Sequence, residues 1–266
     1  MATASLRLLG LAWRKRRVLG AVTRVELEKR YSGSALGLAW LGLYPLLLLA
    51  IYLFVYAVVF RTQLPQYKGL DYVLFVFCGL VPFVGLSEAL SAGTGCIKQN
   101  MHLVKNVMLP IELVPVRSVL ASLATQAAGL AILLALVAAT GHLSWKAALL
   151  PAVVALQVLM MVGLVLVLAS LAVALADVGY FVNLFLLLLM FVSPIGYTRD
   201  MVPAPFTLLV DANPVTYMAE AYRWTLLSEH ALPAPAGAAF VAIALACFAG
   251  GAAFFERFKG ALVDYE

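Results

Sequence analysis

The chain has 266 residues, of which 64% are hydrophobic and only 12% charged, with a formal net charge of +5. Soluble domains run at about 25% charged and 45–50% apolar residues, so this composition excludes one; the length suits about six membrane spans with short connections and no separate soluble domain. The positive balance reads as a topology signal and an attraction to anionic lipid headgroups, not as a nucleic-acid surface. Cys78, Cys96 and Cys247 fall in or beside apolar runs and are too few and scattered for a disulfide framework.

The first element is polar. Within residues 5–31, Val18, Ala21, Val22 and Val25 recur at i, i+3, i+4 and i+7, with Arg17, Arg24 and Glu28 on another side. That pattern predicts a helix lying in the cytoplasmic interface, with Trp13 and Tyr31 at headgroup level, and residues 1–35 form the interfacial segment. The first long apolar run starts only near Leu36 and has no small-residue cleavage pattern after it, so no cleavable signal peptide is expected.

Six apolar runs then predict six transmembrane helices at 36–60, 72–95, 116–140, 147–176, 178–197 and 236–255. Between Arg117 and Arg199 only Lys146 and Asp177 carry a formal charge, and Asp177-Val178-Gly179 allows just a tight turn between the fourth and fifth runs. With the N-terminus in the cytoplasm, the inner segments collect thirteen of the eighteen Lys and Arg residues. The bias places both termini in the cytoplasm and the chain in the cytoplasmic (inner) membrane, crossing it several times.

Two connections carry helical patterns of their own. In residues 97–109, Ile97, Met101, Val104 and Met108 make an apolar stripe, and Lys98, His102 and Lys105 a basic one. Pro110 stops this helix, which either lies flat on the membrane or docks into a groove on a soluble partner; flexible methionines suit the second use. On the outer side, residues 199–235 contain Asn213-Pro214, an N-cap followed by proline at the first helical position. Val215, Met218, Ala219, Tyr222 and Leu226 follow at helical spacing, too few residues to span, which predicts re-entrant helices dipping into the outer leaflet.

Catalytic chemistry has no footing here. His102, His142 and His230 sit on separate segments at no metal-ligand spacing, and no HExxH, no GxSxG and no pair of carboxylates close on one helix face occurs. A GxxxxGK[ST] loop is absent too, so fuel for any pump must come from a partner or an ion gradient. An ion-driven carrier needs ionisable groups inside the hydrocarbon, and only Glu88 qualifies, as an acid near the cytoplasmic end held by hydrogen bonds within the bundle.

Four motifs in order resemble the ABC-2 type permeases that export O-antigen, capsule and teichoic-acid polysaccharides. They are Glu26 to Leu48 (with Lys29-Arg30-Tyr31, Leu36-Gly37-Leu38-Ala39-Trp40 and Pro45), Asn100 to Leu123, Ser193 to Pro203 and Asn213 to Leu227. The resemblance implies an all-α membrane protein of six transmembrane helices, an N-terminal interfacial helix, a cytoplasmic coupling helix and outer re-entrant helices. It implies a half-transporter: two copies enclose a conduit at their two-fold axis, and each touches one nucleotide-binding ATPase subunit through residues 97–109, with Lys98, Met101, His102, Lys105 and Met108 as contacts. ATP and magnesium then sit in that partner, with no cofactor or metal in this chain.

The cargo that follows is a polysaccharide linked to a polyprenyl pyrophosphate. Its pyrophosphate needs a cationic gate at the inner headgroup level, where Arg24, Lys29, Arg30 and Tyr31 stand, although positive-inside anchoring explains the same charges. A sugar chain needs flat faces for stacking. Tyr52, Tyr56 and Phe60 form an i, i+4, i+8 stripe, with Tyr197 and Tyr222 near the same level; an interfacial aromatic belt is the other reading. An ABC-2 permease for a drug or small lipid is the alternative, and a membrane-embedded lipid-modifying enzyme a weaker one, since no acids, histidines or arginines cluster as its catalytic site at one membrane face.

Overall fold

The computed structural model describes residues 2–61, 64, 66–100, 110–232 and 234–264. Apart from one isolated bridge between Leu64 and Tyr67, regular structure among them is entirely helical. Five helices are long and apolar enough to cross a membrane: Gly37–Val59, Leu70–Thr94, Leu113–Ala139, Trp145–Ala174 and Pro235–Gly260. The labels used below are α1 (Ala2–Arg14), α2 (Arg16–Tyr31), α3 (Trp40–Leu53), α4 (Leu70–Thr94), α5 (Cys96–Gln99), α6 (Leu113–Ala139), α7 (Leu150–Ala174), α8 (Val178–Val192), α9 (Thr207–Asp211), α10 (Pro214–Leu226) and α11 (Ala234–Asp264).

The expected fifth span, 178–197, is helical only as α8, a 15-residue element. Its rise of about 22 Å falls short of a hydrocarbon core of about 30 Å. Pro194 explains the stop, because the residue before a proline is driven out of the helical region; Ser193 is extended at φ −73°, ψ 137°. The interfacial segment is two helices rather than one, joined at Lys15. The face of α2 turned to the bundle is also not the valine stripe. Leu19 is buried while Val18 and Val25 are exposed, since the contacts are set by Leu19, Glu26 and Arg30.

Helix α4 is the centre of the bundle, with a run from Leu74 to Leu86 almost wholly buried against α6, α7 and α10. It carries Pro82 in its interior, and the Pro82 carbonyl is tied to the neighbouring helix, where Gln157 Nε2 on α7 donates to Pro82 O at 2.9 Å. Helices α7 and α11 pack along their length with backbones almost touching. A Cβ on Gly163 would lie 2.1 Å from Cys247 O, and one on Gly251 2.1 Å from Gly163 O, so only glycine fits at this crossing. Helix α11 leans on α1, where Arg7 Nη1 reaches Glu256 Oε1 at 3.3 Å.

Candidate functional site

At the end of the bundle reached by α2, three polar links fasten that helix to α4 and α6. Arg30 Nη1 donates to Glu88 Oε2 at 3.1 Å, with side chains 24% and 22% exposed. Tyr31 Oη lies 3.3 Å from Thr125 Oγ1. Arg117 Nη2 meets Glu26 Oε2 at 3.4 Å, and Arg117 Nε is buried without a partner. Of the four expected gate residues, Arg30 and Tyr31 therefore turn inward. Lys29 is exposed, and Arg24 pairs with Glu28 at 2.9 Å on the exposed face. Beside Arg30 a groove of about 540 Å³ opens between α3, α4 and α8, lined by Tyr44, Ser87, Glu88, Ser91 and Asn183 as well as apolar side chains.

At the far end of α3 the backbone widens into a π-helix over Phe54–Val59, and here the expected aromatic stripe is assembled. Tyr52 stacks on Tyr56 at 5.4 Å between centroids, Tyr56 meets Phe60 edge-on at 5.8 Å, and Tyr197 lies 6.3 Å from Tyr56. Hydroxyls pin the rings to neighbouring backbone. Tyr52 donates to Met190 O at 2.5 Å, and Tyr197 to Val192 O at 2.6 Å. Gly196 makes the approach possible, because a Cβ there would sit 2.8 Å from the Tyr56 ring. Tyr52 and Tyr56 are buried, and Phe60 is open at 65%.

Tyr222 stands apart from that cluster. It is fully enclosed in the bundle, where Gln126 Nε2 donates to its hydroxyl at 2.9 Å and the hydroxyl donates to Gln157 Oε1. Gln126 Nε2 also reaches Gln157 Oε1 at 2.7 Å, so α6, α7 and α10 share one buried amide–phenol network. Its position is that of a core tie between helices, not of a side chain lining open space.

Arg223 of α10 was not singled out from the sequence; it is one of the five Lys and Arg residues outside the thirteen assigned to inner segments. It is 0% exposed. Nη2 donates to Pro194 O at 2.7 Å and Ile195 O at 2.9 Å, Nε to Phe75 O at 3.3 Å, and Nη1 to Glu220 Oε1 at 2.8 Å. The guanidinium also lies 3.6 Å from the Phe75 ring centroid. The irregular stretch after α8 would strand its carbonyls, and Arg223 serves them. The signal was present: a helix-breaking Ser193-Pro194 beside a long apolar run requires a donor, and Arg223 follows Glu220 by three residues.

Glu220 continues this network outward. His230 Nε2 lies 2.7 Å from Glu220 Oε2, and His230 Nδ1 lies 2.8 Å from Tyr67 Oη. Burial by itself raises the Glu220 pKa, but the hydrogen bond from His230 and the charge of Arg223 outweigh it and hold the carboxyl down at about 2. Further out, Arg199 grips Asp211 with two donors at 2.5 and 2.6 Å, and this hydrogen bonding lowers the Asp211 pKa. Lys146 Nζ donates to Ser228 O at 3.0 Å and His230 O at 3.3 Å, tying the loop before α11 to the base of α7.

Residues 17–227, which run from α2 to the end of α10 and hold the polar links of α2, the aromatic cluster and the contacts of Arg223, match the model of the ABC-2 type transporter family. The chain belongs to that family. It is 28% identical over 231 residues to the O-antigen export system permease protein RfbA of Myxococcus xanthus, covering 86% of each chain. A protein of the same name from Klebsiella pneumoniae is 26% identical over 209 residues, covering 77% of this chain and 78% of that one.

In this ABC-2 transporter the expected coupling residues are only partly in view. Lys98 is exposed on the single turn of α5, while Met101, His102, Lys105 and Met108 lie outside the described residues. From Pro110 onward the chain is held firmly: Lys259 of α11 donates to Glu112, and five residues further on Arg117 meets α2. Among the described residues no group of three or more His, Cys, Asp or Glu is placed to hold a metal ion.

Proposed function

We propose that this chain is the membrane permease subunit of an ATP-driven exporter that moves a lipid-linked polysaccharide, such as O-antigen on a polyprenyl pyrophosphate, across the cytoplasmic membrane. The observation that carries the reading is likeness over at least three-quarters of both chains to two proteins named O-antigen export permeases. The stretch from α2 to α10 also falls within the family match, so both the inner polar end and the aromatic cluster belong to the shared part.

Residues 1–266 act as one transmembrane domain crossing the membrane six times, with both termini in the cytoplasm. Parity supports this count. The contact between Arg7 and Glu256 brings α1 and the distal part of α11 to one end of the bundle, which requires an even number of crossings. Helix α8 and the irregular residues 193–197 together make the fifth crossing, with the Arg223 network standing in for the missing helical hydrogen bonds. Residues 199–235 form the re-entrant outer cover.

Two copies enclose the conduit, and each receives force from one ATPase subunit that holds ATP and magnesium. Lys98, Met101, His102, Lys105 and Met108 form the docking face, and Glu112 and Arg117 pass its movement to α11 and α2. Arg24, Lys29, Arg30 and Tyr31 receive the pyrophosphate, and Tyr52, Tyr56, Phe60 and Tyr197 guide the sugar. Tyr222 was expected to share that conduit role, but its enclosed position supports a different one, bracing the outer helix.

The test is copurification and coupling. The chain should copurify with a P-loop ATPase encoded beside it, and joint Lys98→Glu and Lys105→Glu substitution should abolish export while ATP hydrolysis and membrane insertion persist. Purified chain alone moving its cargo uphill in vesicles would overturn the reading.

A further inference from the structure

Arg30 has a bond that the export reading does not require. Its Nη1 is spent on Glu88, six residues before the end of α4, at a depth of about 9 Å from that helix end. The pair thus lies within the long apolar helix Leu70–Thr94 and not beyond its end. The groove there is two-sided in character. Arg30, Ser87 and Asn183 provide polar groups, and Leu48, Phe83 and Leu187 an apolar wall. Ser91 Oγ donates to Asn183 Oδ1 at 2.7 Å, which fixes the Asn183 amide with its Nδ2 donors left for a ligand. Such a lining suits a molecule with an anionic head and a hydrocarbon tail.

A carboxylate and a phosphate present similar oxygen pairs to a guanidinium, and a pyrophosphate brings more charge. The Arg30–Glu88 pair uses one donor nitrogen and is about a quarter exposed, so it is open to exchange in a way that the sealed Arg223 is not. We propose that Glu88 is an internal stand-in for the phosphate of a lipid-borne ligand: it holds Arg30 at the edge of the groove, and a lipid pyrophosphate displaces it. Displacement unfastens the C-terminal end of α2 from α4, leaving Tyr31 and Glu26 as the remaining links. Occupancy of the groove thereby becomes a movement of the interfacial helix. The identity of the ligand rests on the export reading; the exchange itself does not.

The experiment uses the full chain in phosphatidylcholine nanodiscs, titrated with a fluorescent short-chain polyprenyl pyrophosphate. Arg30→Ala should bind it about ten-fold more weakly, and Glu88→Gln, which keeps shape and removes the competing charge, about five-fold more tightly. The swap Arg30→Glu with Glu88→Arg should restore the thermal midpoint without restoring binding, which separates the ligand site from the structural pair. Should Glu88→Gln fail to fold, Glu88→Asp, which withdraws the carboxylate by one methylene, should tighten binding in the same direction. Unchanged or weaker binding in the Glu88 variants overturns the stand-in, as does full binding by Arg30→Ala. Equal competition by inorganic pyrophosphate or by phosphatidylglycerol also overturns it, because the groove would then read a free phosphate or ordinary bilayer lipid. Normal export and ATPase copurification beside a null Glu88 result sink the stand-in alone; the expected binding shifts without ATPase copurification sink the export reading alone.

Discussion

The two ends of the bundle hold their arginines in opposite ways. At the end closed by α10, Arg223 is sealed, and its contacts go mostly to backbone carbonyls that cannot move without the fold. At the end reached by α2, the half-buried Arg30 and the buried Arg117 each meet a single carboxylate on another helix, and Arg117 Nε has no partner. A guanidinium satisfied by fixed carbonyls is a staple; one held by a lone movable carboxylate can change partners. The contrast sets a network of fixed carbonyls against pairs of single side chains on separate helices.

The sharpest way to break this contrast is to remove the staple. Arg223→Met should cost about 3–5 kcal/mol, because Glu220 is left without its buried partner and the carbonyls after α8 lose their donor. Arg30→Met should cost about 1 kcal/mol or less, since its pair is partly solvated. Thermal unfolding in detergent compares the two directly, and equal losses would erase the distinction between the ends.

Next in size is Gln157→Leu, which removes the acceptor of the buried Tyr222 hydroxyl and the donor to Gln126 Oε1 and should cost about 1–3 kcal/mol in the same assay. A smaller and pH-dependent effect belongs to Glu220. Its folded pKa lies below the unfolded carboxylate value, so its stabilisation is present above about pH 4.5 and is lost as pH falls toward about 2. Unfolding followed across that window should show wild type losing stability faster than Glu220→Gln. Smallest of all, Arg24→Ala should leave the thermal midpoint unchanged, because the Arg24–Glu28 pair is exposed on both sides.

Much of the layout was legible in the chain. The expected spans 36–60, 72–95, 116–140, 147–176 and 236–255 fall within a few residues of long apolar helices, since uninterrupted apolar length is the whole signal. The fifth run misled because Ser193 to Tyr197 are apolar enough to extend a hydropathy window while Pro194 forbids the helix. On α2 the valine stripe was visible, but Leu19, Glu26 and Arg30 took the inward face because their partners Arg117 and Glu88 wait there. Glu88 was legible as an acid held inside the bundle; that Arg30, fifty-eight residues earlier, holds it was not. Tyr222 shows the same limit, since helical spacing set its level but not its neighbours.

Residue by residue, hydrophobicity determined that this chain lives in a membrane and roughly where its long apolar helices lie. Transfer from water to hydrocarbon is a nearly local cost, so a linear string suffices to sum it. Which arginine is stapled and which is exchangeable was decided only by tertiary structure. That distinction depends on how many oxygens come within about 3 Å of a guanidinium and whether water can reach it, and those oxygens arrive from segments far apart in the chain.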